Sequence, residues 1–138
     1  MKQTLDMRFI RYLNLFEKVT GVRIKNCFSY NSSIVFAVPS AFMSRAIGAG
    51  GKNVKRLTYL LGKKVKMLAL PENIGEAEKF ISELVKPITF RGLEISGNEI
   101  IITGNRQSKA ALIGRNKTRL EELKKIVEEF FEKALKIA

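Results

Sequence analysis

The chain has 138 residues, of which 46% are apolar and 28% are charged. This composition excludes a disordered chain, and the length excludes a large multidomain enzyme. Its 25 lysine and arginine residues outnumber 13 acidic residues, and the net charge of +12 indicates a polyanionic partner, with nucleic acid foremost. Because histidine is absent and Cys27 is the single cysteine, we expect no catalysis, no metal site and no cofactor.

The first predicted element is an amphipathic helix over residues 5–20, because apolar and aromatic residues recur at steps of three and four before Gly21. Two strands rich in β-branched and aromatic residues follow at 22–28 and 33–38. Residues 30–32 form the predicted turn between them.

Two short helices are predicted next. Pro39 and Ser40 close the second strand, and a helix then runs through Ile47 with Ser40 as its N-cap. The glycine-rich segment 48–51 interrupts the helical pattern. A further helix over 52–61 has Val54, Leu57 and Leu61 on its inner face, ends at Gly62, and leads into a third strand over 63–70.

This order of elements recurs along the chain. When the chain is aligned with itself so that Ile34 falls on Ile100, apolar and glycine positions coincide without a gap, among them 34–36 with 100–102, 47–48 with 113–114 and Leu57 with Leu123. We call this alignment the repeat offset. It predicts two similar units joined by the linker 71–73, with a helix over 74–85 opening the second. A long last helix leaves only residues 135–137 for a closing strand.

Positive charge is concentrated in the first half of the chain. Residues 1–71 carry 13 basic and 2 acidic side chains, a net +11, whereas residues 72–138 carry 12 basic and 11 acidic side chains, a net +1. No acidic residue lies between Glu17 and Glu72. Solubility alone does not need so long a segment without carboxylates, so we interpret this half as the surface that binds an anion.

The segment 48–51 is the strongest candidate for a binding site. Its glycines permit a sharp bend, leave the backbone N–H groups open to a phosphate, and precede the positive end of a helix. Lys52, Lys55 and Arg56 add cations on the solvent side of that helix. Nucleoside-triphosphate and dinucleotide loops are excluded, because Asn53 stands where those motifs need serine, threonine or glycine. A glycine-rich turn without a ligand is the structural alternative.

Residues 46–54, with the sequence AIGAGGKNV, resemble the I-G-x-x-G-x-x-I signature of KH domains, whose GXXG loop clamps about four nucleotides of single-stranded RNA. Gly48 and Gly51 are the two signature glycines. The order of elements resembles the type II arrangement. Two such units in so short a chain, with FEKVTGV at 16–22 and LLGKKV at 60–65, resemble the archaeal NusA-like transcription factors.

The resemblance implies an α+β (mixed α/β) fold of two tandem type II KH domains, each a three-stranded mixed sheet packed against helices. Residues 1–71 would form the first domain, with an intact GXXG loop. Residues 72–138 would form the second, whose loop reads GRNK, so that Lys117 replaces the second signature glycine. We expect the Lys117 side chain to narrow the approach of a phosphate, while Arg115, Lys117 and Arg119 supply charge in compensation.

We expect the RNA backbone to cross the first loop beside its cations, with bases turned toward Ile47 and Val54 in the groove next to the helices. The second loop is expected to make a weaker contact. The candidate RNA-binding residues are Ile47, Gly48, Ala49, Gly50, Gly51, Lys52, Asn53, Lys55 and Arg56 in the first unit, and Gly114, Arg115, Asn116, Lys117 and Arg119 in the second.

The resemblance to NusA-like factors implies a single-stranded RNA-binding protein that acts with RNA polymerase in elongation or termination, and we expect it to be monomeric. The alternative is a structural ribonucleoprotein component, such as a ribosome-associated or assembly KH protein. A protein-docking module with an inert loop is a third option. With one cysteine, no charged-then-apolar leader and no apolar run near the ~20 residues of a membrane span, the sequence predicts a cytoplasmic protein with no membrane partner.

Overall fold

The computed structural model describes residues 7–138, which divide into two compact units at the bond between Leu70 and Pro71. The first unit contains α1 (Met7–Thr20), β1 (Asn26–Tyr30), β2 (Ser33–Val38), α2 (Met43–Ile47), α3 (Lys52–Leu61) and β3 (Lys64–Ala69). The second contains α4 (Ala77–Val85), β4 (Gly92–Ser96), β5 (Glu99–Thr103), α5 (Arg106–Ile113), α6 (Thr118–Phe131) and β6 (Ala134–Ile137). The first two residues of the predicted helix 5–20 lie outside the described part.

Each unit is built on a three-stranded mixed sheet, which confirms the expected α+β fold. In the first unit β2 is central, antiparallel to β1 and parallel to β3. In the second unit β5 is central, antiparallel to β4 and parallel to β6. The two helices between the parallel strands form the crossover that such a pair requires.

The strand β1 begins at Asn26, later than the predicted start at residue 22. The turn at Asn31 and Ser32, both with positive φ, fixes a register in which Asn26 pairs with Ala37. In this register the ladder would next run toward Pro39, which has no N–H to donate. Val22 and Ile24 are nevertheless buried in the core, so the predicted strand identified core residues but not pairing residues.

The short helix before the glycine loop also differs from its prediction. Residues Ser40–Phe42 form a 3₁₀ turn and α2 begins at Met43, so the N-cap positions are held by Pro39 and Phe42 and not by Ser40. In the second unit Asn105 stands at the position of Pro39, and its Oδ1 accepts a hydrogen bond from Ser108 N at 2.7 Å. Because Asn105 provides this cap, α5 is a continuous helix of 8 residues.

The helices pack on the sheets through apolar side chains that the helical spacing predicts. In the first unit the ring centroids of Phe16 in α1 and Phe36 in β2 are 4.7 Å apart, and both side chains are fully buried. In the second unit two helices also pack against each other, since the ring centroids of Phe80 in α4 and Phe130 in α6 are 5.0 Å apart. The helix α1 ends as predicted at Gly21, which has a φ of 74° and donates to Glu17 O at 2.8 Å.

The repeat offset holds in the structure until the last helix. The starts of β1 and α3, Asn26 and Lys52, match the starts of β4 and α6, Gly92 and Thr118. The helix α6 then has 14 residues where α3 has 10, so β6 begins at Ala134 and not at residue 130, where the repeat offset would place it. The added length is about one helical turn, so the chain still leaves the helix on the side facing its sheet.

Candidate nucleic-acid interface

The loop between α2 and α3 is a sharp bend that depends on glycine. Gly48 adopts φ 78° and ψ 165°, a region of backbone space that glycine alone uses readily. Gly50 and Gly51 have φ values of 61° and 75° and are left-handed. A Cβ added at Gly50 or Gly51 would meet no atom within 4 Å, so these two residues are needed for conformation and leave open space above the loop.

Two of the loop amides are available to a ligand. The N–H groups of Gly48 and Gly51 are occupied, because they donate to the carbonyls of Ser44 and Gly48 at 3.0 Å. Ala49 and Gly50 are exposed, and their amides have no hydrogen-bond partner within residues 7–138. The prediction that the loop amides face a phosphate is therefore wrong for Gly48 and Gly51, and the free donors are those of the two residues between them.

The Asn53 side chain links the two helices that flank the bend. Its buried side chain donates from Nδ2 to Arg45 O at 3.2 Å, which joins the end of α2 to the first turn of α3. A Cβ at Gly48 would lie 2.9 Å from Lys52 Cγ and 3.0 Å from Asn53 Nδ2, closer than side chains normally pack. Asn53, one of the predicted RNA-binding residues, therefore has its side chain turned inward and positions the loop.

The cations that follow the loop point into solvent, as their helical spacing predicts. Lys52, Lys55 and Arg56 are exposed, whereas Leu57 is fully buried on the opposite side of α3. Within residues 7–138 none of these three cations forms an ion pair. Ile47, predicted to meet the bases, is half-buried beside the bend. Within residues 7–138 the loop thus combines two amide donors without a partner and three cations without an ion pair.

Tyr59 lies on the same exposed side of α3 and was not predicted as a site residue. It follows Lys55 by four residues and Arg56 by three, the spacing of neighbours on one helix face. Its side chain is 85% exposed. The helical phase of the three cations could have identified it from the sequence.

The second unit forms the same bend without the same glycines. Gly114 has φ 74° and ψ 174°, Asn116 has φ 56° and ψ 28°, and Lys117 has φ 60° and ψ 20°. At the last position of the loop φ is 75° at Gly51 and 60° at Lys117, and both residues are left-handed. The substitution by Lys117 therefore keeps the bend, although a left-handed residue with a side chain costs about 1 kcal/mol.

The charges around the second loop differ from those around the first. Arg119, at the position of Asn53, lies beneath the loop, and a Cβ at Gly114 would be 2.7 Å from its Cγ. Arg119 Nη1 is 2.9 Å from Glu122 Oε1, and both side chains are 26% exposed. The positive charge predicted at Arg119 is therefore paired within the protein, which leaves Arg115 and Lys117 as the exposed cations of this loop.

Cys27 is buried in the core of the first unit. Burial raises the pKa of its thiol to about 12, so the thiolate form is disfavoured. Among the residues that the structure describes, no helix is long and apolar enough to cross a membrane.

Curated archaeal proteins are similar to this chain along most of its length. Over 135 residues it is 29% identical to the probable transcription termination protein NusA of Halococcus morrhuae, which spans 96% of this chain and 95% of that protein. Over 104 residues it is 32% identical to the probable transcription termination protein NusA of Methanococcus vannielii, covering 74% of this chain and 58% of that protein.

A third relative and a solved structure extend the comparison. The probable transcription termination protein NusA of Methanocaldococcus jannaschii is 29% identical over 130 residues, which cover 91% of this chain and 69% of that protein. The crystal structure of APE1850 shares the fold with a TM-score of 0.67 at 21% identity, over 97% of this chain and 100% of that one. No family model matches the chain.

Proposed function

We propose, from the premise that this chain is an archaeal NusA-like protein, that it binds single-stranded RNA at the loop between α2 and α3. Residues 1–71 and 72–138 are the two KH domains in this proposal, and the first makes the principal contact. The protein acts by binding alone and makes or breaks no covalent bond.

One observation carries the proposal: among residues 7–138 the amides of Ala49 and Gly50 have no hydrogen-bond partner, and they lie at an exposed bend beside three cations that form no ion pair there. Backbone N–H groups at the start of a helix attract a phosphate, and lysine and arginine nearby neutralise its neighbours along the strand. No carboxylate in the sequence between Glu17 and Glu72 opposes that attraction. The half-buried apolar residues Ile47 and Val54 border the bend and are the surfaces against which bases turn.

The double variant Ala49→Asp with Gly50→Asp tests the loop, because it places two negative charges where the phosphate would lie. The fold tolerates a side chain at Gly50, since Asn116 occupies the matching position with φ 56° in the second unit. The control is Ala49→Asn with Gly50→Asn, which has side chains of the same size without the charge. A second control places the aspartates at the matching residues Arg115 and Asn116.

The measurement is the binding of a short labelled RNA of mixed sequence, followed by fluorescence anisotropy, with the melting temperature of each variant determined alongside. We expect the aspartate pair at the first loop to weaken binding by at least about a hundredfold, the asparagine pair to bind nearly normally, and the aspartates in the second loop to have a smaller effect. Wild-type affinity in the first aspartate variant would refute the role of the loop.

The salt dependence of binding provides a second test of the same proposal. Neutralised phosphates release counterions, so the affinity of the wild type for single-stranded RNA falls by about 0.7 logarithmic units per contact for each tenfold rise in salt. We expect the measured slope to correspond to about two to four phosphate contacts. A flat salt response would remove the phosphate contacts from the proposal.

We further propose that RNA polymerase is the second partner, in keeping with relatives that are named as probable transcription termination proteins. Affinity purification of the tagged chain from its own cells, after nuclease treatment, separates this from the alternative. Retention of polymerase subunits supports a role in elongation or termination. Retention of ribosomal particles instead supports a structural ribonucleoprotein component.

A further inference from the structure

The exposed face of α3 carries an aromatic side chain that the loop contact leaves unused. We propose that this face is a second RNA contact, in which a base of the strand that has crossed the glycine loop stacks on Tyr59. This inference rests on the proposed function and extends the RNA path from the loop along the outside of α3.

The positions along α3 place Tyr59 on the path of such a strand. At about 100° per residue, Lys52, Lys55, Arg56 and Tyr59 occupy an arc of about 100° on the helix surface. Tyr59 lies about 10 Å further along the axis than Lys52, at a rise of about 1.5 Å per residue. The free amides of Ala49 and Gly50 come just before this face, so the loop, the cations and the aromatic ring form one continuous strip.

The exposure of Tyr59 is unusual for a large aromatic side chain. At 85% it is the highest among the exposed large hydrophobic residues of the described chain, and within residues 7–138 no ring contact or hydrogen bond engages it. An aromatic ring between cations is the arrangement with which proteins bind single strands, because every base has a face that can stack. The lack of carboxylates on this face favours a polyanion over an acid-bearing or apolar protein surface.

The second unit provides an internal comparison for this face. The residues of α6 that match Lys52, Lys55, Arg56 and Tyr59 at the repeat offset are Thr118, Glu121, Glu122 and Lys125. The same bend is thus followed by two carboxylates and no aromatic ring. A face that carries cations without carboxylates, together with an exposed ring, is therefore specific to α3, and the fold itself does not require it.

The test compares Tyr59→Ala, Tyr59→Phe and the matched control Lys125→Ala. Each is measured with an RNA longer than the four or so nucleotides that the loop clamps, and with an abasic strand of the same length. We expect Tyr59→Ala to weaken binding of the long RNA about tenfold (roughly 5- to 150-fold) and to leave the abasic strand unaffected. Tyr59→Phe and Lys125→Ala should bind like the wild type, because phenylalanine keeps the stacking surface.

Tyrosine fluorescence gives an independent readout, because the chain has no tryptophan and only 3 tyrosines. Tyr30 is buried and Tyr12 half-buried, which leaves Tyr59 as the exposed emitter. Stacking of a base quenches the emission of a tyrosine ring. We expect RNA to reduce the emission of the wild type, and Tyr59→Phe to remove most of that decrease while the affinity is kept.

Three outcomes would overturn the inference while leaving the loop site intact. These are wild-type RNA affinity in Tyr59→Ala, an equal loss of affinity for the abasic strand, and a loss in Tyr59→Phe as large as in Tyr59→Ala. The loop variant Ala49→Asp with Gly50→Asp is measured in the same series. If that variant binds RNA normally, the proposed function is refuted. If only Tyr59→Ala binds RNA normally, the stacking contact is refuted and the loop site is not.

Discussion

The two loops have similar backbone conformations, but the charged side chains that follow them differ. Gly48 and Gly114 have the same unusual conformation, and Lys117 follows the left-handed path of Gly51. The signature glycine at Gly51 thus eases the left-handed conformation and avoids no clash, since a Cβ added there would meet no atom within 4 Å. The difference that bears on a ligand lies in the helix after each loop, because α3 carries cations and no carboxylate whereas α6 carries both.

The largest effect is expected from the glycine that the two loops have in common. Gly48→Ala and Gly114→Ala each force alanine into a region that costs about 1–3 kcal/mol and add steric crowding. We expect losses in the free energy of unfolding of about 2 kcal/mol for Gly48→Ala and about 3 kcal/mol for Gly114→Ala. The second is larger because the new Cβ would lie 3.2 Å from the Arg119 backbone nitrogen. Chemical denaturation measures both, and equal stability of either variant with the wild type would contradict the shared requirement.

Reversing the charge at matched positions of α3 and α6 tests whether the charge of each helix affects RNA binding. Lys55 and Glu121 correspond at the repeat offset and are both exposed. We expect Lys55→Glu to weaken RNA binding about tenfold and to lower the salt slope by about 0.7, and Glu121→Lys to strengthen binding severalfold. Binding titrations at several salt concentrations measure these effects. If the two substitutions change affinity in the same direction, the charge difference between the helices does not decide which loop binds.

The residue beneath each loop provides a third comparison. Asn53→Ala removes the hydrogen bond to Arg45 O and should lower the free energy of unfolding by about 1 kcal/mol. Arg119→Ala removes a partly exposed ion pair and should cost about 0.5 kcal/mol. We also expect Asn53→Ala to weaken RNA binding severalfold, because the bend is no longer held from below. An RNA affinity that follows stability alone, measured at a temperature where both variants are folded, would argue against a positioning role.

The smallest effects are expected at the last loop position, which is Gly51 in the first unit and Lys117 in the second. Lys117→Gly should raise the free energy of unfolding by about 0.5 kcal/mol, because relief of left-handed strain exceeds the added flexibility of glycine in the unfolded chain. Gly51→Lys should lower it by about 1 kcal/mol. We expect Gly51→Lys to change RNA affinity less than threefold, since a Cβ at this position meets no atom within 4 Å. A collapse of binding in this variant would show that the glycine is needed for access and not only for the bend.

The sequence predicted most of what apolar spacing and glycine control. The bounds of β2 and α3 match the prediction, and the repeat offset relates the two units up to the last helix. These features depend on local patterns that one sequence displays directly. The bend of the first loop was likewise predicted from its glycines.

What the sequence did not predict depends on partners across the fold. The start of β1 is set by the turn register and by Pro39, which directly follows the neighbouring strand, and apolar alternation at Val22 and Ile24 does not reveal either. The inward turn of Asn53 depends on the Arg45 carbonyl, eight residues away on another helix. The positive φ of Lys117 could not be predicted from its residue type, and the expected narrowing of the approach of a phosphate by its side chain stays a prediction.

The added turn of α6 shows how a helix of this kind can change its length. Four residues rotate the chain by about 400°, little more than one revolution, so Glu132 ends α6 with the left-handed geometry that Gly62 gives α3. An insertion of two residues would instead direct the following strand away from its sheet. Protein engineers who want a longer basic helix in the first unit should therefore extend α3 in whole revolutions, each of which adds about 6 Å of charged surface without altering the strand order.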